Sequence, residues 1–485
     1  MIFPDRHPPE HPYDSLTRSV RRLTWIAVAA LALSLVSLAV SIAKGQDSPR
    51  SELHAARLHA ETLGQSALQA RFISFYAVPA GKHDEYLTAL RFAVNSVSRT
   101  ALIVQPVQVT PTLYRLDATR LAPETSDWNA WLGAWESMVT DETYWHLTTQ
   151  AIDPRTKAVK TVVTDSGAID LKDAAALRAM TGSAGAIMRV DDFISRALDG
   201  PAYYRFVGIP EKLADYFKSH GLDDKQVRSL YAAHAANIQQ RGPSPKSAPG
   251  RIARYPTPLG SGWITFDAIE SPDKDPFRAP AFFVKADAHE TIFTRPNGFH
   301  EFALWSGSGS RLDAADIKVA IDYEKPGELR TASSCLRCHY HDEHEGLRSF
   351  KHYAPRSAVI RFSTAKAAQE YGAVFDRQEL LQREVARDRE DLAEAVMIAC
   401  GCSPNEAATA AVNVIDRYND GRIDALTACR ELGIPADPFL PVESLAAACG
   451  ATTDEVALIL LDGESVSRVQ FQSCYAELAL LAAAK

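Results

Sequence analysis

The chain reads as an α+β protein: a mixed domain with antiparallel hairpins, followed by a small all-helical module and preceded by one N-terminal transmembrane helix. Three observations lead there. Residues 23 to 43, "LTWIAVAALALSLVSLAVSIA", carry no charged side chain. Strand-like alternation in "TLYRLDA" and a turn signal at "RPNG" lie among helical repeats in the middle of the chain. From about residue 363 onward the apolar spacing is helical throughout. With 485 residues, 46% apolar and 23% charged, the chain has room for more than one core and little reason to be disordered.

As a helix, residues 23–43 span roughly 31 Å, which matches a hydrocarbon core. Ser41 and Ala43 also resemble a signal-peptide cleavage site, although signal h-regions run only about 7–15 residues. Arg6, Arg18, Arg21 and Arg22 precede the span, against Lys44, Arg50 and Arg57 after it. The positive-inside rule then puts the N-terminus in the cytoplasm. The expected organisation is residues 1–22 cytoplasmic, 23–43 a transmembrane anchor, 44–70 a polar stalk helix, 71–360 an α+β domain and 361–485 a helical module. It would sit in the inner membrane as a single-pass protein with the bulk of the chain periplasmic.

Within the α+β part, "RFISFYAVPA" reads as a strand. In "GKHDEYLTALRFAVNSVS", Tyr86, Leu87, Leu90, Val94 and Val97 recur at helical spacing. Two extended runs follow, "ALIVQPVQV" and "TLYRLDA". Residues 126–140 and 172–236 are mostly helical in pattern, and "RGPSPKSAPGRIARYPTPLGSG", 241–262, reads as a long surface loop. Asn297 and Gly298 predict a two-residue hairpin turn, since both tolerate positive φ. "IKVAIDY" is a further strand. Ser403, Pro404 and Glu406 form a capping box, Thr452 and Glu455 another, and helices are expected to end at Gly421, Gly433 and Gly450.

A net charge of −8 without a basic block argues against a nucleic-acid binder. The chemistry concentrates in "TASSCLRCHYHDEHEG", residues 331–346. Cys335, Cys338 and His339 have the C-x-x-C-H spacing of c-type haem attachment. Two thiols in one turn reach the two porphyrin vinyl groups, and the next residue offers its imidazole to the iron. Zinc competes for the same motif, because Cys335, Cys338, His341 and His344 could supply two sulfurs and two nitrogens. A redox-active C-x-x-C would want a strand-to-helix setting that the pattern lacks. Export favours haem, since thioether attachment occurs outside the cytoplasm.

One motif implies one covalent haem c, with His339 as metal ligand. The sixth iron ligand stays open among Met138, Met188, Met397, His289, His300, His341, His344 or none. Met180 stands in no more distinctive a setting than the other methionines. Cys400, Cys402, Cys429, Cys449 and Cys474 are read either as buried thiols or as disulfides with one thiol left over. "DRYNDGRIDALT" partly mimics a calcium loop, but Tyr418 and Thr427 replace ligands. "SLAAACGATTDEVALIL" resembles a helix-turn-helix, for which packing is the simpler purpose.

Several segments together resemble a family of bacterial exported proteins with a cytochrome c domain and one late haem-binding motif. In "NSVSRTALIVQPVQVTPTLYRLDA" the matching residues are Asn95, Ser96, Ser98, Ile103, Val104, Pro106, Arg115 and Asp117. In "MRVDDFISRALDGPAYYRFVGIP" they are Arg189, Asp191, Phe193, Ala197, Pro201, Tyr203 and Pro210. Glu290, Ile292, Phe293, Pro296, Asn297 and Gly298 carry the hairpin, "SSCLRCH" the haem site and "DALTACRELG" the closing helical unit. The chain departs from the family pattern at Asp192, where Trp is usual, and at Tyr340, His341 and Asp342 after the haem histidine. The resemblance implies a monohaem c-type cytochrome domain and brings no established reaction with it.

The expected function is one-electron transfer on the periplasmic side by a membrane-anchored monohaem cytochrome. It acts with a redox partner protein and serves as an electron carrier rather than a catalyst with its own substrate. The alternatives are a haem enzyme or sensor, peroxidase-like or gas-binding, with an open distal site, and a zinc-stabilised interaction protein.

Overall fold

A computed structural model describes residues 49–79, 81–139, 147–152, 159–164, 171–228, 234–238, 250–267, 286–315, 329–340, 369, 378–434, 439–449 and 454–483. Helix α1 (Pro49–Leu63) leads through a short 3-10 turn into β1 (Ala70–Ser74), α2 (His83–Ser96), β2 (Val107–Thr110), β3 (Leu113–Asp117), α3 (Ala118–Leu121) and α4 (Thr125–Glu136). The pair β4 (Leu147–Ile152) and β5 (Val159–Thr164) precedes α5 (Leu171–Thr181), β6 (Ile187–Arg189), α6 (Val190–Ala197), α7 (Gly200–Val207), α8 (Leu213–Ser219) and α9 (Asp224–Arg228). Next come β7 (His234–Ile238), β8 (Gly250–Thr257), β9 (Gly260–Asp267), β10 (Ala288–Thr294), β11 (His300–Ser306), β12 (Arg311–Leu312), β13 (Ala314–Ala315) and β14 (Leu329–Arg330). Seven helices follow: α10 (Ser333–Tyr340), α11 (Gln378–Cys400), α12 (Pro404–Asp420), α13 (Ala425–Leu432), α14 (Pro441–Cys449), α15 (Glu455–Leu461) and α16 (Arg468–Ala483).

The architecture is α+β. One sheet runs β2-β3-β1-β6, with β6 parallel to β1; the other is an antiparallel meander in the order β12-β11-β10-β9-β8-β7. The main core lies between them. Trp131 and Trp135 stack at 6.2 Å, and Phe206 packs on Trp131 at 5.0 Å. Fully burying a side chain of this size stabilises by roughly 1.5–3 kcal/mol.

The transmembrane part of the expected architecture is corrected. Among the described residues no helix is long and apolar enough to cross a membrane, and the 23–43 segment lies outside those residues. The helix expected as a stalk is docked instead. Leu53, Ala56 and Ala60 of α1 are buried against Phe72, Leu177 and Ile187, and the Glu52 carboxylate accepts a hydrogen bond from Ser74.

Packing also draws the helical module more tightly than the pattern does. Leu392 and Val396 of α11, with Ala411 and Ile415 of α12, belong to the main core. A second core begins at Ile423 and runs to Ala479. The junction is ionic: Glu431 on α13 accepts from Arg189 at the end of β6 and from Arg468 on α16, the latter at 2.8 Å through Nη2. Asp192, where the resembled family has Trp, is buried. It accepts from Arg196 and from the Tyr418 hydroxyl at 2.8 Å, tying α6 to α12.

Three local expectations change. The stretch 241–262, expected as a surface loop, holds β8 and the start of β9, which turn tightly at Pro258 and Leu259. Buried Arg254 explains this: it donates to Asp388 on α11 at 2.8 and 2.7 Å, and Trp263 donates to the same carboxylate at 2.9 Å. The helical run expected over 172–236 is interrupted by β6 and ends in β7.

The β10–β11 turn has three loop residues, Pro296, Asn297 and Gly298. Arg295 donates to the Phe299 carbonyl, and Gly298 donates to the Arg295 carbonyl. Only Gly298 is left-handed there, at φ 84°, as in a turn closed by a bulge.

The capping box at Ser403 and Glu406 forms with Pro404 in the first turn. The next cap is Asp454, accepting from Val456 and Ala457 at 2.9 Å, while Thr452 lies outside the described residues. Gly433 ends α13 left-handed at φ 68°, and Gly421 ends α12 at φ −62°. Gly450 and "IKVAIDY" lie outside the described residues.

Candidate haem-attachment site

Helix α10 is launched from a pinned corner. β14 pairs with β13, and the Arg330 amide donates to the Ser334 hydroxyl at 3.1 Å. The buried Thr331 hydroxyl lies 2.8 Å from that of Tyr204 and 3.3 Å from the Asp313 carbonyl. Ala332 follows with φ 65°, a left-handed backbone that Ala rarely takes, and its carbonyl accepts from the Leu336 amide. Such residues cluster where the surrounding structure dictates the local geometry.

Helical periodicity then sorts the motif into two faces. Cys335, Cys338 and His339 stand at i, i+3 and i+4, the spacing that brings side chains together on a helix surface. All three are half-buried, whereas Leu336, Arg337 and Tyr340 are buried on the side turned into the protein. Arg337 pairs with Asp416 of α12. Tyr340 meets Phe92 of α2 edge-on, with centroids 5.9 Å apart. One face is thus bolted to the core, while the other, half-buried face holds the two thiols and the imidazole.

The imidazole of His339 stacks on Phe302 of β11, centroids 5.8 Å apart and planes 23° from parallel. Burial lowers its pKa to about 4, and the neighbouring His300 lowers it further. A ring held neutral keeps a nitrogen lone pair for a metal. His300 is likewise lowered to about 4 by burial, with Asp388 acting in the opposite sense. Tyr203 and Tyr204 form the neighbouring wall: their hydroxyls accept from the Phe302 and Leu304 amides at 3.1 Å, and burial raises both.

These residues fit a c-type haem. The donor set on the half-buried face is two thiols and an imidazole, and a bound haem would be held by Cys335, Cys338 and His339. Among the described residues no group of three or more His, Cys, Asp or Glu is arranged to hold a bare metal ion. The zinc set cannot be placed, because His341 and His344 lie outside the described residues.

The other expected ligands are scattered. Met138 and Met188 are buried in the core, and Met397 is 52% exposed on α11. His289 donates from Nδ1 to the Thr265 carbonyl at 2.9 Å, and its partner across the hairpin is Trp305. His300 is paired with Thr294 and shares its strand face with Phe302.

Of the C-terminal cysteines, Cys400, Cys429, Cys449 and Cys474 are buried thiols and Cys402 is a half-buried one. Burial pushes Cys400 and Cys429 up to about 12. The thiols of Cys449 and Cys474 donate to the Leu478 and Phe471 carbonyls at 3.7 and 3.3 Å.

The calcium-like stretch is spent on structure: Asp416 pairs with Arg337, Tyr418 is buried, and Asp424 caps α13. The helix-turn-helix look-alike covers α14 and α15, whose Leu445, Cys449, Ala457 and Leu460 fill the second core.

Phe302, Arg337 and the left-handed Ala332 carry no signal in the sequence pattern, save that Phe302 stands two residues from His300 on a strand. Comparison with protein-family models, curated proteins and solved structures finds no match to this chain.

Proposed function

We propose that this protein is a monohaem c-type cytochrome whose work is one-electron transfer. The reading rests on one observation: Cys335, Cys338 and His339 share the half-buried face of a helix whose opposite face is locked into the core. When bound, the haem supplies the one-electron couple. The chain's own residues do the rest. Cys335 and Cys338 would hold the porphyrin through thioethers, the chemistry two thiols one helical turn apart can supply. His339, whose ring Phe302 holds in orientation, would be the residue that ligates the iron. Arg337 and Tyr340 fix the helix through Asp416 and Phe92, which would keep these residues in place through a change of charge at a bound haem.

Thioether attachment implies assembly outside the cytoplasm, and a redox partner protein is the counterpart such a carrier requires. The family resemblance of the sequence segments agrees with this reading. Titrating the matured protein anaerobically against redox mediators tests it. The expected result is one reversible transition in the haem absorbance with a one-electron slope. A protein whose spectrum ignores the applied potential would end the proposal.

A further inference from the structure

What stands on the far side of the iron decides between a carrier and an open-site enzyme or sensor, and the structure bears on it. β11 alternates strictly through its register with β10, from Thr294↔His300 to Ala288↔Ser306. Side chains two apart on a strand share a face. His300 and Phe302 therefore face together, and Phe302 is the residue stacked on His339. His289 is paired with Trp305, on the opposite face, where Trp305 and Phe293 meet Tyr216. His220 lies on that other side too, 2.8 Å from Glu301. Of the two hairpin histidines, His289 and His300, it is His300 that shares the face meeting the C-x-x-C-H helix.

The chemistry of His300 is that of a ligand in waiting. It is 5% exposed, while His289 and His220 each spend a ring nitrogen on a structural bond, to the Thr265 carbonyl and to Glu301.

Its position is held firmly. Arg295, at the foot of the turn, donates to the Ser98 carbonyl at 2.9 Å and to Glu301 at 2.6 Å, and Asn297 donates to the Asn95 carbonyl at 2.9 Å. Helix α11 closes over the turn so tightly that a Cβ on Gly298 would meet that of Ala395 at 2.9 Å. A ligand on a strand end braced in this way is preorganised.

We propose that His300 is the second axial ligand of the haem iron, opposite His339, giving bis-histidine coordination. The inference rests on the haem c reading and deepens it. Two strong ligands close the iron to exogenous molecules and favour electron transfer over catalysis. Histidine in place of methionine also gives a lower potential than a His/Met site.

The test uses the matured full-length protein, with His300→Ala, His300→Met and, as a control, His289→Ala. Ferric wild-type protein and His289→Ala should both be low-spin, with the near-infrared charge-transfer band of two imidazoles. His300→Ala should keep its covalent haem on a denaturing gel but turn high-spin and bind carbon monoxide when reduced. Added imidazole should restore the low-spin spectrum.

His300→Met covers the case in which the alanine variant fails to accumulate; loss of the two-imidazole band there supports the assignment. A high-spin wild type, or a two-imidazole band persisting in either His300 variant, overturns the axial assignment and leaves the haem reading standing. Absence of any covalent haem in matured wild-type protein removes both.

Discussion

The ring of Phe302 lies against that of His339 with centroids 5.8 Å apart and planes 23° from parallel, so a sheet residue sets the attitude of a helix residue. Phe302 also touches Tyr340 edge-on at 6.2 Å, and its backbone amide donates to the Tyr203 hydroxyl. Phe302→Ala would open a cavity under α10 and should cost about 3–5 kcal/mol. Phe302→Leu, which refills most of the space, should cost far less while broadening the haem absorbance through a loosened His339. Urea unfolding with the visible spectrum checks both; equal stabilities for the two variants would show that the ring does not support the helix.

Glu431 joins the two cores by accepting from Arg189 and Arg468, and all three side chains are buried. Removing one member of a buried ionic cluster leaves charge uncompensated, so Glu431→Ala should destabilise by about 3–5 kcal/mol. The loss should concentrate at the junction. Limited proteolysis should cut between α12 and α13 in the variant well before it cuts the wild type. Unchanged cleavage kinetics would mean that the apolar contacts alone hold the module.

Burial lowers His289 to about 4, against a weaker opposing effect of its bond to the Thr265 carbonyl. Its folded pKa lies below the unfolded value of about 6.5, so the unfolded chain binds the proton first. The stability it contributes is complete above about pH 6.5 and is lost as pH falls through the folded value. The span between the two values corresponds to about 3 kcal/mol. Glu301, also lowered, acts in the same direction further into acid: burial opposes its ionisation, but His220 and Arg295 outweigh that. Denaturation midpoints measured from pH 7 to 4.5 should fall steeply in the wild type and less so in His289→Gln; parallel curves would remove His289 from the account.

How far the sequence reveals this arrangement depends on the range of each interaction. The grouping of Cys335, Cys338 and His339, the Ser403 capping box and the existence of the hairpin at Asn297 are legible because their determinants lie within a few residues of one another. The segment 241–262 is not, since its strands depend on Arg254 and Trp263 meeting Asp388, more than a hundred positions away. Pro and Gly dominate the local pattern there.

Helix α1 looks polar by composition, yet Leu53, Ala56 and Ala60 recur at helical spacing and are buried. A narrow stripe with two alanines is a faint signal. His300 looks like an ordinary strand position until register places it beside Phe302. The residues flanking a motif that build its support are tertiary facts.

The central claim is that Cys335 and Cys338 carry a covalent haem. The most direct measurement is the intact mass of the chain purified under denaturing conditions, after expression with the machinery that attaches c-type haem. The account predicts a mass raised by one haem in the wild type, with no increase in the Cys335→Ser, Cys338→Ser double variant. A wild-type chain at its bare polypeptide mass, matured alongside a known c-type cytochrome that does acquire haem, would contradict it.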